Sequence, residues 1–259
     1  MTETPDDNER GRSPEGVDAP FPEVRRAFLE NPLALLDRVP GIWPMNKPKG
    51  VTSHDVVKMM RKRLGLKRVG HAGTLDPMAE GLLLVTAGLA TRLFDDIQSF
   101  RKTYRAEFRL GERTVSQDSA GDPVAGWRRV VDPPVAREKI SAAMSKFVGG
   151  IEQVPPMHSA LKRNGTPLYK LARRGIEVER SPRKAMVHEL SLEAFDGWTG
   201  RLLTTVSSGF YVRTLIDDIG LALGAGAVMT ALVRTAIGPF ALDGSPPPGD
   251  GGERAFREP

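Results

Sequence analysis

Cysteine is absent from the 259 residues, which excludes disulfides and thiolate metal sites. Histidine is scarce: the four stand at positions 54, 71, 158 and 188, with no His-x-x-x-His pair, so no metal and no cofactor is expected. No apolar run approaches the ~20 residues needed to cross a bilayer. The N-terminus lacks the basic start and apolar core of a secretory signal, so the protein is expected in the cytoplasm, off the membrane. Aromatic residues make up only 6% of the chain, with three tyrosines.

What is present suffices for a sizeable core, as one large domain or two small ones, at 40% hydrophobic residues. The net charge of +5 is unevenly placed. Residues 1–40 hold nine acids and five arginines, which leaves +9 on residues 41–259. A basic body suits a polyanionic partner, because each phosphate neutralised by Lys or Arg releases a condensed counterion.

The stretch Val69-Gly70-His71-Ala72-Gly73-Thr74-Leu75-Asp76-Pro77 carries the densest chemistry. Two glycines allow a tight turn or close approach to a ligand, and a lone carboxylate stands before a proline that cannot donate a hydrogen bond. The strand-like run Leu82–Ala87 follows, and a loop pinned to a rigid element is where catalytic groups are usually presented. A purely structural reading competes: Asp as N-cap with Pro at the first position of a helix.

Residues 1–20 are polar and rich in Pro, Gly and charge, and are read as disordered; residues 21–38 approach helical spacing through Phe28, Leu29, Leu33, Leu35 and Leu36. The fold proper is expected to start at Gly41, with a short strand ending in the turn Lys47-Pro48-Lys49-Gly50. Thr52 with Asp55 three residues on caps a helix whose apolar face is Val56, Val57, Met60 and Leu64, stopped at Gly65. Its far side and tail carry Lys58, Arg61, Lys62, Arg63, Lys67 and Arg68, a candidate surface for RNA phosphates. A helix is expected from Gly88 to about Ile97, then a half-buried strand alternating Tyr104, Ala106, Phe108 and Leu110 with charge.

Residues 111–134 read as turns, and a helix over 134–148 is expected, capped by Asp132, with Ile140, Met144, Phe147 and Val148 inward. A Pro-rich loop over 151–162 and a short basic helix over 168–175 come next. Two β segments, 185–195 and 201–207, flank the turn 196–200. Tyr211 and Arg213 are expected on one strand face, with a helix starting just after Arg213 and an apolar helix over Ala227–Val233. Residues 245–252 are low-complexity tail.

Gly70-His71-Ala72-Gly73-Thr74-Leu75-Asp76-Pro77 resembles, position for position, the motif of the TruB family of tRNA pseudouridine synthases, whose catalytic aspartate falls here on Asp76. Further segments resemble that family: Lys47-Pro48 with Thr52-Ser53; Tyr104, placed like its active-site tyrosine; and Gln153–Lys162, where His158 stands in place of the usual Tyr. In Ser207–Thr214, Tyr211 and Arg213 match while Ser208 and Phe210 replace Lys and Thr, which removes one phosphate contact. The resemblance covers roughly residues 41–240 and leaves too few residues for the small PUA domain many members carry.

The resemblance implies an α+β fold, the pseudouridine synthase catalytic fold, with a mixed antiparallel-rich sheet flanked by helices. It also implies domains of 1–40 (accessory), 41–240 (catalytic) and 241–259 (tail), and isomerisation of uridine 55 in the T stem-loop of tRNA by a monomer. Asp76, Tyr104 and Arg213 would be catalytic, with Arg213 keeping the aspartate ionised. His71, Tyr211, Lys47, His158, Lys162, Arg61 and Lys62 would bind substrate. A carboxylate suffices to break the N1–C1′ bond, by adding to sugar or base or by removing a sugar proton, and residue types do not choose among these. A non-catalytic RNA-binding or tRNA-folding protein, and a synthase with another RNA target, remain as alternatives.

Overall fold

A computed structural model describes residues 21–36, 41–245 and 247–248. The expected disorder of residues 1–20 and most of the expected tail lie outside these.

One nine-stranded sheet organises the chain. Its strands are β1 (Ile42–Lys47), β2 (Val69–Ala72), β3 (Glu80–Ala87), β4 (Lys102–Leu110), β5 (Gly149–Gln153), β8 (Arg183–Phe195), β9 (Thr199–Val206), β10 (Ala227–Ile237) and β11 (Phe240–Ala241). The order is β1-β3-β10-β4-β9-β8-β5, with β2 paired to β3 and β11 to β10. Every pairing is antiparallel except the short parallel contact of Val233 and Arg234 with Glu80 and Gly81. Lys162–Arg163 (β6) and Thr166–Pro167 (β7) form a separate small hairpin.

Strand β3 shows why its sequence is apolar without alternation. Leu83 and Val85 face the helix α2 (Ser53–Leu64), packing with Val56, Val57 and Met60, while Leu82 and Leu84 pack on the other face with Phe28, Leu93 and Ile97. Both faces are covered, so both must be apolar. Burying each such side chain is worth about 1.5–3 kcal/mol. Helix α2 begins as its sequence specifies: Thr52 accepts from the Asp55 amide, the Asp55 carboxylate takes the Thr52 amide, and Gly65 ends it at φ 64°.

The remaining helices are α1 (Phe21–Glu30), α3 (Phe94–Ser99, preceded by a 3₁₀ turn over Gly88–Leu93), α4 (Arg137–Ser145), α5 (Leu168–Ala172) and α6 (Val212–Ala222). The packed body takes in α1, upstream of the expected start at Gly41. Phe28 is fully buried, 5.9 Å from the Phe100 ring, and Arg25 pairs with Asp96 through two hydrogen bonds of 2.8 and 2.7 Å. At the other end, Leu242 packs against the same cluster as β11.

Three expectations about local structure are corrected. Ala227–Val233 is not a helix but part of β10, in the middle of the sheet; a short apolar run buried on both sides has no period to distinguish the two. Helix α4 starts only at Arg137, without a side-chain cap; Asp132 instead pairs with Arg129, and Val148 is exposed. Asp76-Pro77 opens no helix: the Ala79 amide bonds to the Asp76 carbonyl at 3.0 Å and closes a turn that runs into β3.

Candidate active site

The loop between β2 and β3 is tied down at four points. Arg234 donates to the Gly73 carbonyl at 2.8 Å. Ser53 Oγ accepts from the Leu75 amide at 2.9 Å and donates to the Leu75 carbonyl at 3.1 Å. The Gly50 amide donates to the Pro77 carbonyl at 2.8 Å. Between these ties stands Asp76, whose Oδ2 lies 2.8 Å from Arg213 Nη2. The loop borders a pocket of about 300 Å³, within the range of small-molecule sites, which also takes in Tyr104, Tyr211, Arg213, Leu232 and Arg234.

Arg213 reaches the pocket from a different element than the sequence suggested. It lies in the first turn of α6, and Tyr211 is the residue just before that helix, so the two do not share a strand face. Gln153, buried at the end of β5, fixes this entry: its side-chain amide accepts from the Tyr211 N–H and donates to the Tyr211 carbonyl, both at 3.1 Å. The Arg213 side chain is only 5% exposed, and beyond Asp76 it donates to the His158 carbonyl at 2.8 Å. Asp118 stands 3.9 Å from Nη1 of Arg213, and Ser116 Oγ and the Ala120 amide hold Asp118 in turn at 2.7 and 3.0 Å. The segment read only as turns thus supplies a second carboxylate to the same guanidinium. A second tie fastens it to α6, where Arg113 forks onto Asp217 at 2.6 and 2.7 Å.

The electrostatics of Asp76 correct a further expectation. Arg213 was expected to hold its pKa low, yet the net direction is upward: burial in the pocket is the largest influence and favours the neutral acid, and the neighbouring Asp118 adds to it. Arg213, followed by Lys47 and His158, pulls the other way without cancelling burial.

Of the other candidates, Tyr104 is buried in β4 against the pocket, with the Arg234 guanidinium carbon 6.0 Å from its ring centre. Tyr211 lines the same pocket, and burial pushes its phenol pKa up. His71 sits in β2 beside the loop; burial, then Arg234 and His54, lower its pKa to about 4, and its Nδ1 is buried without a hydrogen-bond partner. His158 contributes its carbonyl to Arg213. Lys162 is exposed on β6 and Lys62 on α2.

Lys47 and Arg61 both have partners within the fold. Lys47 is wholly buried, its ammonium donating to the Pro48 and Val51 carbonyls at 3.0 and 2.8 Å, and burial lowers its pKa to about 8. It braces the turn that presents the Gly50 amide to the loop. Arg61 donates to the Val69 carbonyl at 2.9 Å, fastening α2 to β2.

Two buried cations at the pocket escaped the sequence reading. Lys102 donates to the carbonyls of Gln98 and Phe100, and burial lowers its pKa to about 8. Arg234 is 1% exposed in β10. The available signal was a charge inside an otherwise apolar strand, as in Leu232-Val233-Arg234.

Comparison with known proteins identifies the family. Residues 61–212 match the model of the TruB family pseudouridylate synthase N-terminal domain, and residues 213–245 that of the tRNA pseudouridylate synthase B C-terminal domain. A protein of Geobacillus kaustophilus named tRNA pseudouridine synthase B is 47% identical over 209 residues, 78% of this chain and 73% of that protein. One of the same name from Bordetella avium is 45% identical over 204 residues, 78% and 83% of the respective chains. Among solved structures, a Cbf5-Nop10-Gar1 complex contains a similar chain, with TM-score 0.62 and 33% identity over 83% of this chain. The match spans 53% of that chain, so this protein corresponds to about half of its structural neighbour. The chain belongs to the TruB family of pseudouridylate synthases.

Proposed function

We propose that this chain isomerises uridine 55 in the T loop of tRNA to pseudouridine, with Asp76 as the reacting carboxylate. The observation that carries the reading is the pairing of Asp76 with Arg213 at 2.8 Å inside a pocket walled by Tyr104 and Tyr211. The names borne by its relatives, tRNA pseudouridine synthase B, point to the same substrate.

The target base is stacked within a folded RNA loop, so it must flip into the pocket, at a cost of a few kcal/mol. Tyr104 offers a face on which uracil stacks. Asp76, ionised, either attacks the nucleoside or removes a proton from the ribose; the N1–C1′ bond breaks, uracil turns, C5 bonds to C1′, and the C5 proton leaves. Substrate and product are isomers, so the cycle is redox-neutral and needs no group donor. Arg213 sustains the charged carboxylate against the burial that disfavours it. In this reading His71, beside the loop, holds the RNA from which the base has flipped, and the exposed Lys62 and Lys162 meet its phosphates. In this reading the catalytic domain is residues 41–240.

The test is release of tritium from [5-³H]uridine in a transcribed T stem-loop. Wild type should release it, while Asp76→Asn, which keeps the shape of the side chain and loses its charge, should not, with RNA affinity and melting temperature nearly unchanged. Substantial activity in that variant would overturn the reading.

A further inference from the structure

Hydrogen bonds at the mouth of the catalytic loop join the loop that carries Asp76 to a side chain on another strand. The strands β2 and β3 pair through Ala72 and Leu84 and then part, because the chain must leave the ladder to form the loop. Two backbone carbonyls at the parting, those of Gly73 and Leu82, are met by a single side chain: Arg234 Nη2 donates to Gly73 and Nε to Leu82, both at 2.8 Å. Buried carbonyls need partners, and a planar guanidinium offers two diverging donors in a fixed fork that an ammonium cannot match. We propose that Arg234 is the positioning residue of the catalytic loop, replacing the missing rungs between β2 and β3 so that Asp76 is held against Arg213.

Three further observations support this assignment. Arg234 is 1% exposed and no carboxylate pairs with it among the described residues, and its Nε and Nη2 serve these two carbonyls. The closeness is built into both strands: the Arg234 backbone lies where a side chain on Gly81 would stand, and a Cβ on Gly73 (φ 81°) would come within 3.2 Å of Arg234 Nη1. The pairing of β10 with β4 is irregular between Arg234 and Ala236, a local distortion of the kind that re-aims side chains near active sites.

The inference rests on Asp76 being the reacting group, and its test keeps the two apart. Arg234→Lys retains the cation but not the fork; Gly73→Ala leaves every charge in place and pushes the loop off the guanidinium. Arg234→Lys should lower kcat about a hundredfold, the loss expected for a misplacement of about 1 Å, and Gly73→Ala, whose methyl meets Nη1 on a left-handed backbone, should lower it in the same direction. Binding of the T stem-loop should change less than threefold. Because a displaced Asp76 loses part of its attraction to Arg213, the acidic limb of the rate profile should also move to higher pH in both variants. If Arg234→Lys melts early, Gly73→Ala decides the question. Wild-type turnover in the variants, or a loss shared by kcat and RNA binding with an unmoved acidic limb, would overturn the proposal. Asp76→Asn measured alongside separates the failures: activity there sinks the reading of the reaction, whereas an inactive Asp76→Asn beside undisturbed loop variants sinks only the role of Arg234.

Discussion

Replacing Arg213 by methionine keeps much of the volume of the side chain and removes the one cation bonded to Asp76 among the described residues. Unit charges about 4 Å apart interact by about 4 kcal/mol at an effective dielectric of about 20. Asp76 retains 36% exposure toward the pocket, so solvent screens part of this, and roughly 2 kcal/mol is a reasonable share. If that energy serves to keep Asp76 ionised, the acidic limb of kcat/KM should move about 1.5 pH units upward, with a loss of about thirtyfold at pH values below that limb. The sign follows from the neighbours: burial and Asp118 already push the Asp76 pKa up, Arg213 opposes them, and its removal raises the pKa further. The ionised fraction at neutral pH then drops and recovers as pH rises. The assay is therefore tritium release across pH 6–9, at a temperature well below melting, since the variant also leaves Asp76 and Asp118 without their shared counterion. Activity that climbs with pH more steeply than in wild type supports the reasoning. A loss that is flat with pH would show that Arg213 acts through geometry alone, and no loss would refute its role altogether.

Other substitutions probe the frame around the site. Burial and the adjacent Asp217 raise the Asp218 pKa to about 6, above its unfolded value near 4, so its charging opposes folding as pH rises through that interval. Asp218→Asn should stabilise the protein by on the order of 2 kcal/mol at pH 8 and by little at pH 4, read from urea unfolding at both; an equal effect at both would contradict the burial argument. Phe28→Ala should cost about 3–5 kcal/mol, seen as a lower melting temperature, because the ring is fully enclosed against Phe100. An unchanged melting point would mean that α1 does not dock.

How far the sequence could be read depended on whether each feature is local. Helix α2 was legible to the residue at both ends, because Thr52, Asp55 and Gly65 act within one turn. The alternation of Tyr104, Ala106, Phe108 and Leu110 gave β4 because one face of it meets the core and the other bears charge. Strand β10 was misread because neither face is polar enough to show a period. Asp76 and Tyr104 were placed by resemblance. The raised Asp76 pKa and the contribution of Asp118 arise from burial and from a partner 42 residues away in the chain, which no local pattern encodes. Lys47 was taken for a substrate-binding residue by resemblance, and its burial, which comes from packing and from carbonyls of its own turn, has no local sign in the sequence.

The place of β10 in the sheet has a consequence for how the protein is made. Among the described residues it is the one strand that pairs with both β3, which carries β1 and β2, and β4, which carries β9, β8 and β5. Asp76 belongs to the first group and Tyr104 to the second, so the pocket straddles the seam. On a ribosome, where domains assemble as they emerge, every other strand of that path is made before β10. Until Ala227–Ile237 is free to insert, the nascent chain holds two separate sheets and half of a pocket on each, and closure brings together segments more than 100 residues apart. Catalytic competence should thus arrive in one late step, and a nascent chain without that strand should be inert.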